Sequence, residues 1–287
     1  SILSGLYPSV HGTYVSNDAY QPPTTSLPVL LQKAGYDNFA AVSGNMHSRA
    51  GFAKGFNSYV DDIDQGVTSQ ADNTNFAGTR GKEINNAFSS WLTDRDDTDD
   101  PFFAMLWSTG PHYPYAPPEG FREYVDGSYD GPADGTPECL SYLTTEDDVE
   151  QLVGLYDGEI RFNDYCIGEL CDTLRDHGEY EDTLFIAIGD HGDGLGEHPG
   201  FFGHGSMTPY EGLVHVPCIV RTPSGVSGAR IEEQVSLVDL YPTITDLATD
   251  GECDEVSREQ TQGNSFAPVV DGDDIDGSDY VYASAKN

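Results

Sequence analysis

Thr183-Leu184-Phe185-Ile186-Ala187-Ile188-Gly189 runs directly into Asp190-His191-Gly192-Asp193-Gly194-Leu195-Gly196-Glu197-His198. The first seven residues are short and nearly all apolar, the pattern of a buried parallel strand. A carboxylate and an imidazole, Asp190 and His191, therefore stand where such a strand ends. In open α/β sheets the ligand crevice lies outside the carboxyl ends of the strands. Asp and His are ordinary ligands of a divalent metal, and the adjacent glycines let the backbone turn tightly around one. Phe202-Gly203-His204-Gly205 follows, and then Tyr210-Glu211-Gly212-Leu213-Val214-His215-Val216-Pro217.

Outward from this stretch, strand-like runs alternate with helical patterns. Residues 25–34 read as a helix with Pro28 in its first turn. Residues 38–43 read as a short strand. Residues 81–92 read as a helix with Ile84, Ala87, Phe88 and Trp91 on one face. Residues 101–108 form a second apolar run, expected as a buried strand. Residues 149–174 read as a long amphipathic helix carrying Leu152, Leu155, Tyr156, Ile160, Ile167, Leu170 and Leu174. Residues 216–221 suggest another strand and 236–247 another helix. The alternation predicts an α/β sandwich, with a mainly parallel central sheet flanked by helices. Residues 61–75 and 119–148 look like surface insertions, either solvated or shaping the mouth of a pocket. His11, His198 and His215 read as structural, and His177 as a helix cap. Asp193 and Glu197 support the site or are merely solvated. No internal repeat is visible.

The 287 residues fit one large domain. Acidic residues outnumber basic ones 49 to 13, for a formal net charge of −36. The acids are interleaved with apolar runs, which argues against disorder. A self-repelling acidic surface poor in Lys is the pattern of a halophile, where salt screens the repulsion; a halophile's cytoplasm is the expected location. No basic patch exists to meet phosphates, so nucleic acid is excluded as a partner class. No run is long and apolar enough to span a membrane. Cys139, Cys166, Cys171, Cys218 and Cys253 lack Cys-x-x-Cys spacing, which argues against a zinc site, and their odd number argues against a disulfide framework.

Four blocks in order resemble the sulfatases, within the alkaline phosphatase superfamily. The Asp190–Pro217 region is similar to the family's C-terminal metal signature, roughly S-D-H-G-x-x-L-G-E-H, a Lys or His, then Y-E-x-x-x-x-V-P. The opening Ser1-Ile2-Leu3-Ser4-Gly5-Leu6-Tyr7-Pro8-Ser9-Val10-His11-Gly12 resembles the tail of its nucleophile signature. Gly44-Asn45-Met46-His47 stands at the place of G-K-W-H, and Gly110-Pro111-His112-Tyr113-Pro114 at that of H-x-P. With the acidic composition, the chain is identified as a haloarchaeal-type sulfatase-like protein with an alkaline-phosphatase-like fold. Residues 1–287 are expected to be an incomplete catalytic domain. The nucleophile, the N-terminal metal-ligand segment and a C-terminal subdomain lie elsewhere, so these residues alone are not expected to turn over substrate.

Ester hydrolysis of this type needs a nucleophile in line, positive charge on the non-bridging oxygens and an acid for the leaving alcohol. The resemblance implies that Asp190 and His191 are metal ligands. It implies that His47 assists the nucleophile, and that His112 contacts the leaving-group oxygen or the sulfate. His204 stands where many sulfatases carry a sulfate-binding Lys, and Asn45 where many carry another. These two departures leave the substrate's charge open. Calcium is the metal the family suggests; a His ligand keeps Mn²⁺ and Zn²⁺ in play, and Mg²⁺ also remains. A formylglycine is expected upstream as nucleophile. The expected substrate is a small-molecule or glycan sulfate ester. A phosphonate or phosphodiester hydrolase, a phospho-headgroup transferase and a non-catalytic relative are the alternatives. Oligomeric state is not legible.

Overall fold

Asp37-Asn38-Phe39-Ala40-Ala41-Val42 forms the innermost strand of the fold, β1, buried from its second residue on. The computed structural model describes residues 1–13, 19–44, 46–63, 80–95, 100–204, 208–223, 228–249, 260–270 and 281–283. Parallel strands flank β1 on both sides, β2 (Ser58–Val60) and β3 (Phe102–Trp107), giving the order β2-β1-β3. A separate antiparallel pair joins β4 (Phe185–Ile188) to β7 (Cys218–Arg221). A third, two-residue pair joins β5 (Gly194–Leu195) to β6 (Phe202–Gly203).

Strand alternation sends side chains to opposite faces of β1 and β3, and each face meets helices. The helices in chain order are α1 (Pro8–His11), α2 (Leu27–Lys33), α3 (Arg80–Asp94), α4 (Glu146–Asp176), α5 (Glu211–Val214), α6 (Leu240–Ala248) and α7 (Ala267–Val270). On one face Phe39 and Ala41 pack with Ile84 and Phe88 of α3 and Leu170 and Leu174 of α4. On the other, Phe103 packs against Leu27, Leu30 and Leu31 of α2 and Tyr241 of α6. The result is the α/β layering expected from the sequence. A fully buried Phe such as Phe88 contributes on the order of 2–3 kcal/mol through its burial.

Helix α4 begins with a capping box. Thr145 accepts from the Asp148 N–H while the Asp148 carboxylate accepts from the Thr145 N–H. Glu146, Asp147 and Asp148 also place negative charge at the positive end of the helix dipole. The helix closes at His177, whose Nδ1 donates to Thr173 O (2.8 Å), so His177 is the cap its position suggested. Its 31 residues extend roughly 46 Å and join two cores. The second core is built by residues of the 113–143 segment, including Tyr115, Ala133 and Cys139, against Leu152 and Leu155. Part of the 119–148 stretch is thus a packed irregular wall rather than a solvated insertion.

Three expectations need correction. The 101–108 and 183–189 runs are strands, but β3 and β4 are half-buried along their whole length. The hydrogen-bonded partner of β4 is the antiparallel β7, so it is not a parallel strand within one ladder. On α4, Ile160 and Ile167 are exposed, although their spacing placed them with the core. All these residues border one large cavity between β3 and β4. Most of the other insertion candidate, at 61–75, falls outside the described residues, as does Cys253.

Candidate functional site

The site is assembled at the carboxyl ends of β3 and β4. Gly189 N–H donates to Pro217 O (3.2 Å), and the chain then turns at Asp190 and His191. Asp190 Oδ1 accepts the His191 N–H (3.0 Å), and Asp190 Oδ2 lies 3.8 Å from His191 Nε2. Gly192 presses against α5: its N–H donates to Leu213 O, and a Cβ there would lie 2.0 Å from Gly212 O. No larger residue fits at this turn. The β5–β6 pair, in register Gly194↔Gly203 and Leu195↔Phe202, then folds the chain back on itself. Asp193 and His204 flank that pair and so meet, His204 Nδ1 lying 2.5 Å from Asp193 Oδ1. The other Asp193 oxygen accepts the Tyr115 hydroxyl (2.7 Å).

His112 arrives from the loop after β3, its N–H donating to Thr109 O (2.7 Å). Its ring lies 4.8 Å from that of His204, and the His204 ring lies 4.4 Å from that of His191. Tyr113 stacks on His204 at 5.1 Å. His112 Nδ1 contacts Tyr113 O (2.5 Å) and His191 Nδ1 contacts Gly192 O (2.9 Å). Carbonyl and carboxylate oxygens only accept, so Nδ1 carries the proton in all three imidazoles. Each ring is thus anchored by Nδ1, leaving Nε2 for a ligand.

Burial lowers the His112 pKa, and the neighbouring His204 and His191 push it the same way; Tyr113 O and Asp193 oppose this. His112 is therefore neutral at pH 7. Burial, then the Asp193 carboxylate, raises the Tyr115 phenol above its ordinary range, so Tyr115 stays a hydrogen-bond donor. His191, Asp193 and His204 bring potential ligand atoms within 4.8 Å of one another. Both Asp193 oxygens are already engaged, which makes this buried carboxylate the brace of His204. Asp190 and His191 are exposed. Their 3.8 Å separation is shorter than the roughly 4.2–4.6 Å that two metal–ligand bonds can span. The pair fits a divalent cation.

Of the residues singled out from sequence, His112, Asp190, His191 and His204 come together. His47 opens the turn at residues 48–50 and lies beside Asp61, whose carboxylate accepts the Ser48 N–H (2.7 Å). Its neighbour Met46 borders the same cavity as Gly110, Pro111, Asp190 and His191, so its loop reaches the same edge of the sheet. Asn45 lies outside the described residues. The sequence reading left Asp193 undecided and missed Tyr113 and Tyr115. Their signal was the aromatic pair beside His112 in a Pro-rich turn. His11 is buried, and its Nδ1 accepts from the Thr13 N–H (3.1 Å). His198 stacks on Tyr210, and His215 pairs with Glu211. All three lie in structural settings.

Comparison with known proteins gives a family model named Sulfatase that matches residues 1–250. Arylsulfatase K of Danio rerio is 33% identical over 135 residues, covering 47% of this chain and 24% of the relative. The choline-sulfatase of Rhizobium meliloti (strain 1021) is 27% identical over 321 aligned positions, covering 95% of this chain and 61% of the relative. Among solved structures, a phosphonate monoester hydrolase from Silicibacter pomeroyi superposes with a TM-score of 0.73 at 20% identity. That superposition covers 98% of this chain and 67% of the other, and shows a shared alkaline-phosphatase-like fold. The chain spans between a quarter and three-fifths of the length of these curated relatives.

Proposed function

The chain belongs to the sulfatase family, and from that premise we propose that it carries the metal-binding and proton-handling face of a sulfate ester hydrolase. The observation that carries this reading is the convergence of His112, His191 and His204 beside Asp190, each ring anchored through Nδ1. Asp190 and His191 would hold a divalent cation, which would supply Lewis acidity and orient the nucleophile. Family grounds make calcium the first choice, with Mn²⁺, Mg²⁺ and Zn²⁺ as alternatives. His204, its Nδ1–H braced by Asp193, binds a sulfate oxygen through Nε2–H when both ring nitrogens are protonated. His112, its Nδ1–H held by Tyr113 O, turns Nε2 to the leaving-group oxygen and protonates it from the imidazolium form, after Nε2 has taken up a proton from solvent. His47 acts on the nucleophile from the neighbouring loop, and the family resemblance assigns Asn45 to anion binding. By family resemblance the nucleophile is a formylglycine.

The names of the relatives point to aryl or choline sulfate esters, and a glycan sulfate ester stays within the expected class. The fold shared with a phosphonate monoester hydrolase, and a His at 204 where many sulfatases carry a Lys, keep a phosphonate or phosphodiester as the second reading. The acidity of the chain fits a high-salt cytoplasm. Among the described residues, no helix is long and apolar enough to cross a membrane.

The test uses the full-length protein in high salt, stripped with chelator and titrated with Ca²⁺ and Mn²⁺ by calorimetry. Asp190→Asn and His191→Ala are each expected to weaken binding at least tenfold. An aryl sulfate and an aryl phosphonate monoester then compete as substrates. Faster turnover of the phosphonate moves the second reading to first place. Unchanged metal affinity in both variants removes the assignment of the pair.

A further inference from the structure

The pairing of β1 with β3 ends where two loops of the site begin. Val42 and Trp107 are the last residues in register, and Ser43 N–H donates to Trp107 O (3.0 Å) just past them. In a regular parallel ladder the next rung would run from Thr109 N–H to Ser43 O. Thr109 N–H donates instead to Ser43 Oγ (3.0 Å), so a side chain takes the place of the carbonyl. The backbone is thereby released to turn at Gly44, whose φ is 76°. Ser43 is 1% exposed, and its hydroxyl lies 3.3 Å from Trp107 O and 3.2 Å from Thr109 Oγ1. Ser43 leads into the loop of His47, and Thr109 into that of His112.

Three further contacts close this junction. Arg80, the first residue of α3, donates from Nη1 to Thr109 Oγ1 (2.6 Å). The two loops touch at their roots: a Cβ at Gly44 would lie 2.9 Å from Thr109 Cγ2. Thr109 O in turn accepts the His112 N–H (2.7 Å). Further along the same segment, Ala116 N–H donates to Glu159 Oε1 (3.0 Å), so the His112 turn is tied down on both sides. The Arg80 charge also acts on Glu159. A planar guanidinium offers its donors in fixed directions, which suits a junction of this kind better than a flexible ammonium. Buried polar groups cost stability unless they are bonded, and a satisfied network of them rigidifies its surroundings.

We propose that Ser43, Thr109 and Arg80 form a clasp that fixes the His47 and His112 loops relative to each other, with Thr109 as the positioning residue of His112. In an in-line displacement the nucleophile enters and the alcohol leaves on opposite sides of the reacting atom. The group that assists the one and the group that protonates the other must therefore keep a fixed separation. The acid must also stay within hydrogen-bond reach of the leaving oxygen, and a displacement of about 1 Å can cost on the order of 100-fold in rate. The clasp supplies that constraint from behind the site. It rests on the proposed function for what the two histidines do, and on its own hydrogen bonds for the coupling of the loops.

The test uses the full-length protein in high salt. Thr109→Val removes the hydroxyl at nearly constant volume, and Thr109→Ser keeps it. Ser43→Ala retains the Arg80–Thr109 contact and carries the test should Thr109→Val fail to fold. Phenyl sulfate, with a poor leaving group, is compared with 4-nitrophenyl sulfate, whose better leaving group needs the acid less. Thr109→Val and Ser43→Ala are expected to lose about tenfold more kcat on phenyl sulfate than on 4-nitrophenyl sulfate, and Thr109→Ser to recover most of that difference. Equal losses on both esters would make the hydroxyls merely structural and overturn the positioning role. Amide hydrogen exchange reads the clasp without activity. The His47 and Ser48 amides are expected to exchange faster in Thr109→Val, and the His112 and Tyr113 amides in Ser43→Ala, while β1 keeps its protection. Changes confined to the substituted loop would overturn the coupling. A wild type inactive on both esters, with exchange still transmitted between the loops, would remove the proposed function and leave the clasp standing.

Discussion

At the residue scale, the histidines depend on what stands behind them. His204 Nδ1 is held by Asp193, which is itself held by the buried Tyr115 hydroxyl. Partners behind a functional His typically matter 10–100-fold. Asp193→Asn in the full-length protein is expected to lower kcat/KM for a sulfate ester by that much, and Tyr115→Phe by less. Equal activity in both variants would leave the brace without a role. Glu159 presents a different residue-scale problem. It is fully buried on α4, with Oε1 accepting the Ala116 N–H (3.0 Å) and no partner at Oε2. Burial pushes its carboxyl up from the ordinary 4.5 to about 7, against the Ala116 hydrogen bond and the charges of Arg80 and Arg122. Between those pH values the folded chain holds a proton that the unfolded chain has released. Stability from this group is therefore complete below pH 4.5 and is lost as pH rises through about 7, by an amount of about 3 kcal/mol. Glu159→Gln should remove that slope. In urea melts, the variant's stability relative to wild type should grow from pH 5 to pH 8; a constant difference would show that Glu159 is ionised in the fold.

At the element scale, α4 holds the irregular wall of residues 113–143 through two glycines on one face. A Cβ at Gly154 would lie 2.3 Å from Tyr124 O, and one at Gly158 would lie 2.5 Å from Phe121 O and 2.8 Å from Pro117 Cγ. Gly158→Ala is expected to cost about 1–3 kcal/mol by overpacking. Gly168→Ala, where the Cβ meets nothing within 4 Å, is expected to gain about 0.5–1 kcal/mol of helix propensity. Denaturant melts of both variants check the pair, and a Gly158→Ala gain would mean that the wall yields. These elements also show where the sequence was readable. Apolar residues recurring at helical spacing placed α3 and most of α4, and the β1 run announced a short strand. The position of Asp190 and His191 past a strand end was legible because they directly follow a strand-like run. Ile160 and Ile167 misled, since periodicity reports an apolar face but not what covers it. The Asp193–His204 contact was hidden because it depends on β5 pairing with β6 across a turn. The packing of residues 113–143 escaped because irregular backbone carries no period.

At the scale of the whole molecule, the net charge of −36 meets a site proposed to take an anion. Among the described ion pairs, most involve exposed side chains, so they contribute little individually. Folding must therefore proceed against broad self-repulsion, which salt relieves as the screening length falls from about 10 Å at 0.1 M to about 3 Å at 1 M. The melting temperature is expected to rise continuously with KCl into the molar range. A divalent cation at Asp190 and His191 acts differently, by binding the folded state alone, so its effect saturates once the pair is filled. The two contributions separate in one experiment: thermal melts of the full-length protein across KCl, with and without low-millimolar CaCl₂, in wild type and Asp190→Asn. The variant should keep the KCl dependence and lose the calcium increment. A flat KCl response would remove screening as the reason for the acidic surface. A calcium increment that survives Asp190→Asn would place the ion elsewhere on the acidic surface.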